Sequence, residues 1–474
     1  MSLPLASFLQ DEDFIRALYI AAFICFVLGL RLLTHPSSAR RGNMVAGAGM
    51  AIAVVATLLW DFVADYGLIA LGVAVGTVVG VPAARNVKMT AMPQMVVLFN
   101  GVGGGAVALI ALVEYREELA LTGSNPELET LIPILLAALI GSISFWGSNI
   151  AFGKLQEILP GRPITVPAQQ LVNAALLVVA LGCGVVIAAG TESELLFIVI
   201  LVAAAILGNM VVLPIGGADM PVVISLLNAF TGLSAAAAGL ALDNVALIVA
   251  GMLVGASGSI LTMQMAEAMN RSIANIVAGG FGGVALASGG GDGDAEARPV
   301  RSTDPSDVAI QLAYAQRVVV APGYGMAVAQ AQHTVRELAD ELEKRGVQVL
   351  YAIHPVAGRM PGHMNVLLAE ADVPYDNLKE MDEINPDFPQ TDVALVIGAN
   401  DVTNPAARDQ QDSPIYGMPI LDVDKAGSVI VLKRSMNTGF AGIDNPLFYK
   451  ENTALLFGDA KESVQKVLKE VEGL

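Results

Sequence analysis

The sequence predicts two architectures on one polypeptide: a multi-pass α-helical membrane domain of about nine transmembrane helices, followed by a soluble α/β domain on a doubly wound parallel sheet. Three observations carry this reading. Residues 14 to about 283 are almost continuously apolar, in a chain that is 54% hydrophobic and only 15% charged, which is more apolar than a soluble protein sustains. From about Pro299 the composition becomes that of a soluble domain, with β-branched runs alternating with helical patterns. Between the two lies Gly289-Gly290-Gly291-Asp292-Gly293-Asp294, which has no apolar face and reads as a flexible link. The predicted division is 1–283 for the membrane domain, 284–305 for the hinge and 306–474 for the soluble domain.

Nine segments approach the roughly 20 residues a helix needs to span lipid: 14–33, 43–60, 66–84, 92–113, 131–152, 171–189, 194–214, 221–240 and 243–266. They are dense in Gly, Ala and Ser, which lets membrane helices approach closely. Arg40, Arg41, Arg85, Lys88, Lys154, Arg162 and Arg271 follow alternate segments, while Asp61, Asp65, Glu192 and Glu194 occupy the opposite loops. By the positive-inside rule the N-terminus is outside and the C-terminal domain cytoplasmic. Asp11, Glu12 and Asp13 stand where a cleavable signal carries basic residues. Cys25 and Cys183 lie in apolar segments and read as small core residues, and the four histidines lack metal-ligand spacing. A net charge of −18 argues against nucleic acid, which needs a basic face.

Polar side chains inside such segments are functional candidates. Asn100, Asn228, Ser257 and Asn149 qualify, and Asp219 sits at the start of a segment in Gly216-Gly217-Ala218-Asp219-Met220-Pro221. Interhelical hydrogen bonding competes as an explanation for the serines, packing for the asparagines, and helix capping for Asp219. No segment carries Asp, Glu, Lys or Arg at its centre, so a proton route would rest on amides, hydroxyls and water.

The soluble domain opens with Val318-Val319-Val320-Ala321-Pro322-Gly323-Tyr324-Gly325, then an alanine-rich segment that predicts a helix running to Arg345. This reads as strand, tight turn and helix. Gly323 permits the turn, and Gly325 would let a backbone approach a phosphate at a helix N-terminus. A second strand, 347–353, ends in His354 and Pro355, where an NAD-binding fold places an acid for the ribose diol. The missing acid favours NADP, whose 2′-phosphate such an acid repels. Arg359, in Gly358-Arg359-Met360-Pro361-Gly362, suits a pyrophosphate or a solvated surface equally. A third strand, 393–397, leads into Gly398-Ala399-Asn400-Asp401-Val402. A fourth, 429–432, leads into Lys433-Arg434-Ser435-Met436-Asn437-Thr438-Gly439-Phe440, two cations and two hydroxyls fit for a phosphate. A last strand, 454–457, precedes Gly458-Asp459-Ala460 and a closing helix over 461–471. The whole is Rossmann-like.

Taken together, Gly216 to Val223, Ala268 to Ser272, Pro322 to Gln332, His354 to Ala371, Glu380 to Asn385, Gly398 to Asp401 and Lys433 to Gly439 resemble the beta subunits of proton-translocating NAD(P)+ transhydrogenases. The resemblance covers essentially the whole chain. It implies hydride exchange, NADH and NADP+ giving NAD+ and NADPH, coupled to proton flow across a bacterial cytoplasmic membrane. It implies NADP(H) on this chain in a reversed orientation, NAD(H) on an alpha-subunit partner, and a dimer of the whole unit. By the same resemblance the nucleotide contacts fall on Gly323, Tyr324, Gly325, Val356, Ala357, Gly358, Arg359, Met360, Pro361, Gly398, Ala399, Asn400, Asp401, Val402, Gly417, Met418, Lys433, Arg434, Ser435, Met436, Asn437, Thr438, Gly439, Phe440, Asp459 and Ala460. Lys433 and Arg434 would hold the 2′-phosphate. Asn100, Asp219, Asn228, Ser257 and Gly258 fall on positions tied to proton movement, and Asp401 on the acid tied to coupling.

Three residues depart from the pattern. Asn100 replaces a histidine of some members, Phe440 a frequent tyrosine and Val402 a common threonine. Asparagine does not titrate near neutral pH, so a relay centred on a titrating side chain at position 100 is in doubt. Two other classes of function fit parts of the pattern: a channel or transporter gated by an NADP-sensing domain, and a membrane-tethered NADP-binding scaffold.

Overall fold

The computed structural model describes residues 10–277 and 300–474, apart from 61, 62, 64, 161, 162, 217, 218, 271, 361, 414 and 440. Among the predicted features, Pro361, Phe440, Asp61, Arg162, Arg271, the Gly217-Ala218 pair and the hinge up to Pro299 lie outside these residues.

Among the described residues, nine helices are long and apolar enough to cross a membrane. They are α1 (Glu12–Leu33), α2 (Pro36–Leu58), α3 (Tyr66–Asn86), α4 (Met92–Thr122), α5 (Leu128–Leu155), α6 (Gln169–Ala188), α7 (Glu194–Val212), α8 (Met220–Ala241) and α9 (Val245–Ala268). Each overlaps one predicted segment, with shifts at the ends. The largest is α4, which continues through the polar run Glu114–Thr122 until Gly123, at φ 66°, ends it in the left-handed region. A short helix, α10 (Ile273–Val277), follows.

The chain divides into two compact units, Met1–Pro214 with Ile224–Leu261, and Ile215–Val223 with Thr262–Leu474. In the first, the core packs Tyr115, Leu131, Ile134, Phe197 and Ile200 from α4, α5 and α7, with Tyr115 and Phe197 stacked at 4.8 Å between ring centroids. Helices α4 and α5 meet through glycine. A Cβ on Gly141 would stand 2.7 Å from the Gly104 carbonyl oxygen, so only glycine allows this approach. A smaller core joins Ile15, Tyr19, Phe26 and Ala53 of α1 and α2.

The second unit is an α/β domain. Its elements are α11 (Pro305–Ala313), β1 (Arg317–Pro322), α12 (Tyr324–Val328), α13 (Gln332–Lys344), β2 (Gln348–Ile353), α14 (His363–Glu370), β3 (Leu378–Glu380), α15 (Met381–Ile384), β4 (Val393–Ile397), α16 (Ala406–Asp409), β5 (Ser428–Lys433), β6 (Thr453–Phe457) and α17 (Ala460–Gly473). All strand pairings are parallel, in the order β3-β2-β1-β4-β5-β6. Alternate residues face opposite sides of a strand, so both faces of this sheet need apolar cover. Val319, Ala394, Val396, Val429 and Val431 pack with Phe388, Leu421, Leu447 and Phe448 in one cluster. Amphipathic α13 buries Val335, Leu338, Ala339 and Leu342, a helical stripe, while α17 buries Val464, Val467 and Val471.

Two predictions change here. The edge strand β3, three residues long, was absent from the sequence reading. The single helix expected to reach Arg345 is two helices, because Gln330 takes φ 50° and turns the chain between α12 and α13.

Candidate functional site

Strands β1 and β4 are neighbours whose connections leave in opposite directions, β1 toward β2 and β4 toward β5. Such a switch point opens a crevice at the carboxyl ends of the strands. Here backbone hydrogen bonds join the loops that follow the two strands. Gly323 N–H donates to Ile397 O at 2.9 Å and Gly325 N–H to Gly398 O at 3.0 Å. A Cβ on Gly323 would lie 2.3 Å from Gly398 O, and one on Gly398, at φ 67°, 2.4 Å from Gly325 Cα. The packing of the two loops accounts for all three glycines without a phosphate. Helix α12 has five residues, too few to build an appreciable dipole.

Around this seam stand the predicted contacts of the β2 end. The Arg359 guanidinium lies 4.2 Å from the centroid of the Tyr324 ring, a cation–π contact. Arg359 N–H donates to His363 Nδ1 at 3.0 Å. His363 begins α14 buried; burial first, and then the Arg359 charge, push its pKa down to about 4. His354 is equally buried. Its Nδ1 accepts Val356 N–H at 3.2 Å and its Nε2 pairs with Pro419 O at 2.8 Å, and burial pushes its pKa down to about 4. The ring is therefore neutral with its proton on Nε2. Ala357 is buried, Gly358 takes φ 109°, and Met360 is half-buried.

At the β4 end, Asp401 Oδ2 accepts the Ala441 N–H at 2.9 Å. A Cβ on Gly439 would be 2.6 Å from Asp401 Oδ1, so glycine is what lets the two segments touch. Ala399 is buried, and Val402 O accepts Leu421 N–H at 2.9 Å. Gly417, at φ 80°, donates to Ala407 O at 2.8 Å beside buried Met418. In the same unit Asn270 Nδ2 donates to Tyr416 O at 2.7 Å.

At the β5 end, Lys433 Nζ donates to Asn437 O at 2.9 Å and lies 4.3 Å from the Phe448 ring centroid. Burial lowers its pKa, with the Asp401 and Asp444 carboxylates acting against that. Arg434, Ser435, Met436, Asn437 and Thr438 are exposed. Asp459 is engaged as the cap of α17, accepting Lys461 N–H at 3.0 Å, and Ala460 is buried.

Sequence reasoning missed two buried residues that join these loops, Asn404 and Asn445. Asn404 Nδ2 donates to Asp444 O at 3.1 Å, and Asn445 Nδ2 to Asn400 O at 3.1 Å and Asn400 Oδ1 at 3.0 Å. The signal available was the repeated dipeptide Asn-Pro at 404–405 and 445–446. Also missed was an ionic knot. Arg408 reaches Asp422 at 2.8 Å and Asp424 at 2.7 Å, and Lys450 reaches Asp424 at 2.6 Å.

In the first unit Asn100 belongs to a polar ladder. Its Nδ2 donates to Ser148 Oγ at 3.0 Å and lies 3.4 Å from Ser144 Oγ, and Ser144 Oγ is 2.6 Å from Thr231 Oγ1. Asn228 is three residues before Thr231, on the same side of α8. Ser144, Ser148 and Thr231 were not singled out from sequence. Ser257 is exposed and bonds its own helix at Val254 O, 3.2 Å away, apart from the ladder. Gly258 serves the α8–α9 contact: its carbonyl accepts Ser225 Oγ–H at 3.2 Å, and a Cβ there would be 3.0 Å from Ala229 Cα. Asn149 bonds back to Phe145 O at 3.0 Å. Asp219 falls in the second unit, one residue before α8, with its N–H on Gly216 O at 3.1 Å. A cavity of about 560 Å³ lined by Leu109, Phe145, Trp146 and Leu201 holds none of the predicted residues.

Residues 15–470 match the family described as NAD(P) transhydrogenase beta subunit. The chain is 50% identical, over 457 residues, to a protein of Rhodospirillum rubrum named NAD(P) transhydrogenase subunit beta, covering 95% of this chain and 98% of that one. A protein of the same name from a designated strain of that species matches equally.

Proposed function

This chain belongs to the NAD(P) transhydrogenase beta subunit family, and from that premise we propose that its α/β unit binds NADP(H) for hydride exchange with NAD(H) held by an alpha subunit, coupled to proton movement through its membrane helices. The arrangement would be a dimer of the whole unit in a bacterial cytoplasmic membrane, N-terminus outside.

The observation that carries the nucleotide assignment is the pair Lys433-Arg434 at the carboxyl end of β5, beside the β1–β4 switch point, in a chain of net charge −18. The donor set fits a phosphorylated adenosine ribose. Arg434 is exposed for bidentate pairing, Ser435 and Thr438 supply hydroxyls, and Lys433 is partly desolvated, which strengthens its attraction to an anion. Arg359, stacked on Tyr324, suits the pyrophosphate.

Bound NADP(H) would supply the nicotinamide that gives or takes the hydride. The chain's own residues need no acid or base for that step; they orient the ring and exclude water. Titration calorimetry on the complex is the test. Lys433→Ala with Arg434→Ala weakens NADP(H) about a hundredfold, from two charge-assisted contacts of about 1.5 kcal/mol each, and leaves NAD(H) unchanged. Equal losses for both nucleotides would remove the assignment.

Proton coupling is then indirect, through the affinity and exchange of NADP(H). The ladder Asn100–Ser148–Ser144–Thr231, with Asn228 beside it, supports a hydrated polar route without a titrating side chain. Protonation along it, with Asp219 and the stretch Met269 to Pro299, would bias the α/β unit between closed and exchanging states. Asn228→Leu should abolish the response of NADPH formation to a pH gradient in sealed vesicles while NADP(H) binding persists; an unchanged response takes Asn228 out of the scheme.

A further inference from the structure

We propose that Asn404 and Asn445 are positioning residues that lock the roots of two loops together, so that Asp401 and the loop after β5 (residues 435–439 and 441–443), which would act as a lid over the nucleotide, move as one; the proposal rests on the NADP(H) reading of this site. The two loops close on the same dipeptide, Asn404-Pro405 after β4 and Asn445-Pro446 after β5. In each, the asparagine Oδ1 accepts the N–H two residues on: Ala406 N–H at 3.0 Å, Leu447 N–H at 3.0 Å. Proline between them has no N–H to compete and fixes φ, which holds the turn. The oxygen of each amide is thereby committed to its own loop, and the Nδ2 group is left to reach the other.

The two amides do this crosswise. Asn404 Nδ2 donates to Asp444 O, the residue before Asn445, at 3.1 Å. Asn445 Nδ2 donates to Asn400 O and Oδ1, the residue before Asp401, at 3.1 and 3.0 Å. Both side chains are sealed from water, at 0% and 1% exposure. A lost Nδ2 donor therefore removes a bond that water does not rebuild at the buried amide itself. Inside this brace the Asp401 carboxylate accepts Ala441 N–H. A change of charge at Asp401 reaches the lid through that bond only if the loop roots hold still. With the brace cut, the lid can leave while Asp401 stays.

Asn445→Asp and Asn404→Asp test this in the assembled full-length complex. Aspartate keeps the acceptor oxygen and the Asx turn but loses the donor and sets an anion against the facing carbonyl. Deuterium uptake of the lid in the nucleotide-free complex should quicken about tenfold relative to β5, from one lost buried hydrogen-bond donor. NADPH, followed by its fluorescence, should dissociate about tenfold faster, and KM should rise for NADP(H) but not for NAD(H). Lid uptake and NADPH release matching the unaltered complex overturn the proposal, as does uptake that rises equally in β5, which would mean general loosening. If one variant fails to assemble, the other decides. If the unaltered complex holds no NADPH, the NADP(H) reading fails, and lid uptake still decides the brace.

Discussion

Replacing His354 with glutamine removes a buried titration and keeps an amide donor at the same strand end. The ring is 1% exposed, accepts Val356 N–H on Nδ1 and donates Nε2–H to Pro419 O. An imidazolium carries two donors, so protonation would set a proton against the Val356 N–H. Burial lowers the pKa from 6.5 to about 4, with the Pro419 carbonyl acting weakly the other way. The native chain thus refuses a proton that the unfolded chain takes up. The stability this group contributes is complete above pH 6.5 and drains away as the pH falls toward 4. At about 1.36 kcal/mol per pKa unit the whole effect is about 3 kcal/mol. Hydrogen exchange of the β1, β2 and β4 amides in the full-length complex, corrected for intrinsic rates, reads the opening free energy. Between pH 7 and pH 4 the unaltered protein should lose about 3 kcal/mol more than His354→Gln. Parallel pH dependences for the two proteins would refute the assignment of a buried neutral ring.

Gly325→Ala should destabilise the α/β unit by about 1–3 kcal/mol even without nucleotide, because the new Cβ would lie 2.7 Å from Gly398 Cα. Thermal unfolding in the absence of NADP(H) checks it; a loss seen only as weaker nucleotide binding would refute the packing role and leave the phosphate-facing one. Arg408→Ala should cost about 1–2 kcal/mol, since Asp424, at 4% side-chain exposure, keeps only Lys450 as ionic partner while the 37% exposure of Arg408 discounts the pair. A variant as stable as its parent in hydrogen exchange of 422–426 would show the knot to be inert.

Most of the architecture was legible because the solvent dictates it. Lipid demands about 20 apolar residues per crossing and water demands the opposite, so the change near Pro299 separates the regimes. The expected strands carry β-branched runs for the same reason, being buried on both faces. What sequence could not give is set by distance. The end of α4 depends on Gly123 rather than on apolarity, and the break at Gln330 lies in an alanine-rich stretch of good helix formers. Ser144 and Ser148 look like any small membrane residues until α5 brings them to Asn100. Asn404 and Asn445 each read as a local turn signal, and their meaning appears only where two loops 40 residues apart meet.

On the proposed NADP(H) reading, the site must grip a nucleotide and then release it, which needs a fixed floor under donors that can move. The floor here is made of neutral, buried hydrogen bonds: Gly323 to Ile397, Gly325 to Gly398, His354 to Pro419 and the two crossed asparagines. None carries net charge, so the field of a bound polyphosphate, or its loss, does not reverse their energy. The charged donors sit at the margin instead. Arg434 is exposed, and Lys433 spends its ammonium on Asn437 O, a contact in its own loop that an anion can displace. Moving an exposed cation costs little, whereas breaking a buried neutral bond costs the full desolvation of its partner. Between floor and margin stands Asp401, whose bond to Ala441 N–H is charge-assisted and therefore changes strength with its protonation. On the proposed NADP(H) reading, protonation of Asp401 would therefore act on release at this contact between the β4 end and the loop after β5.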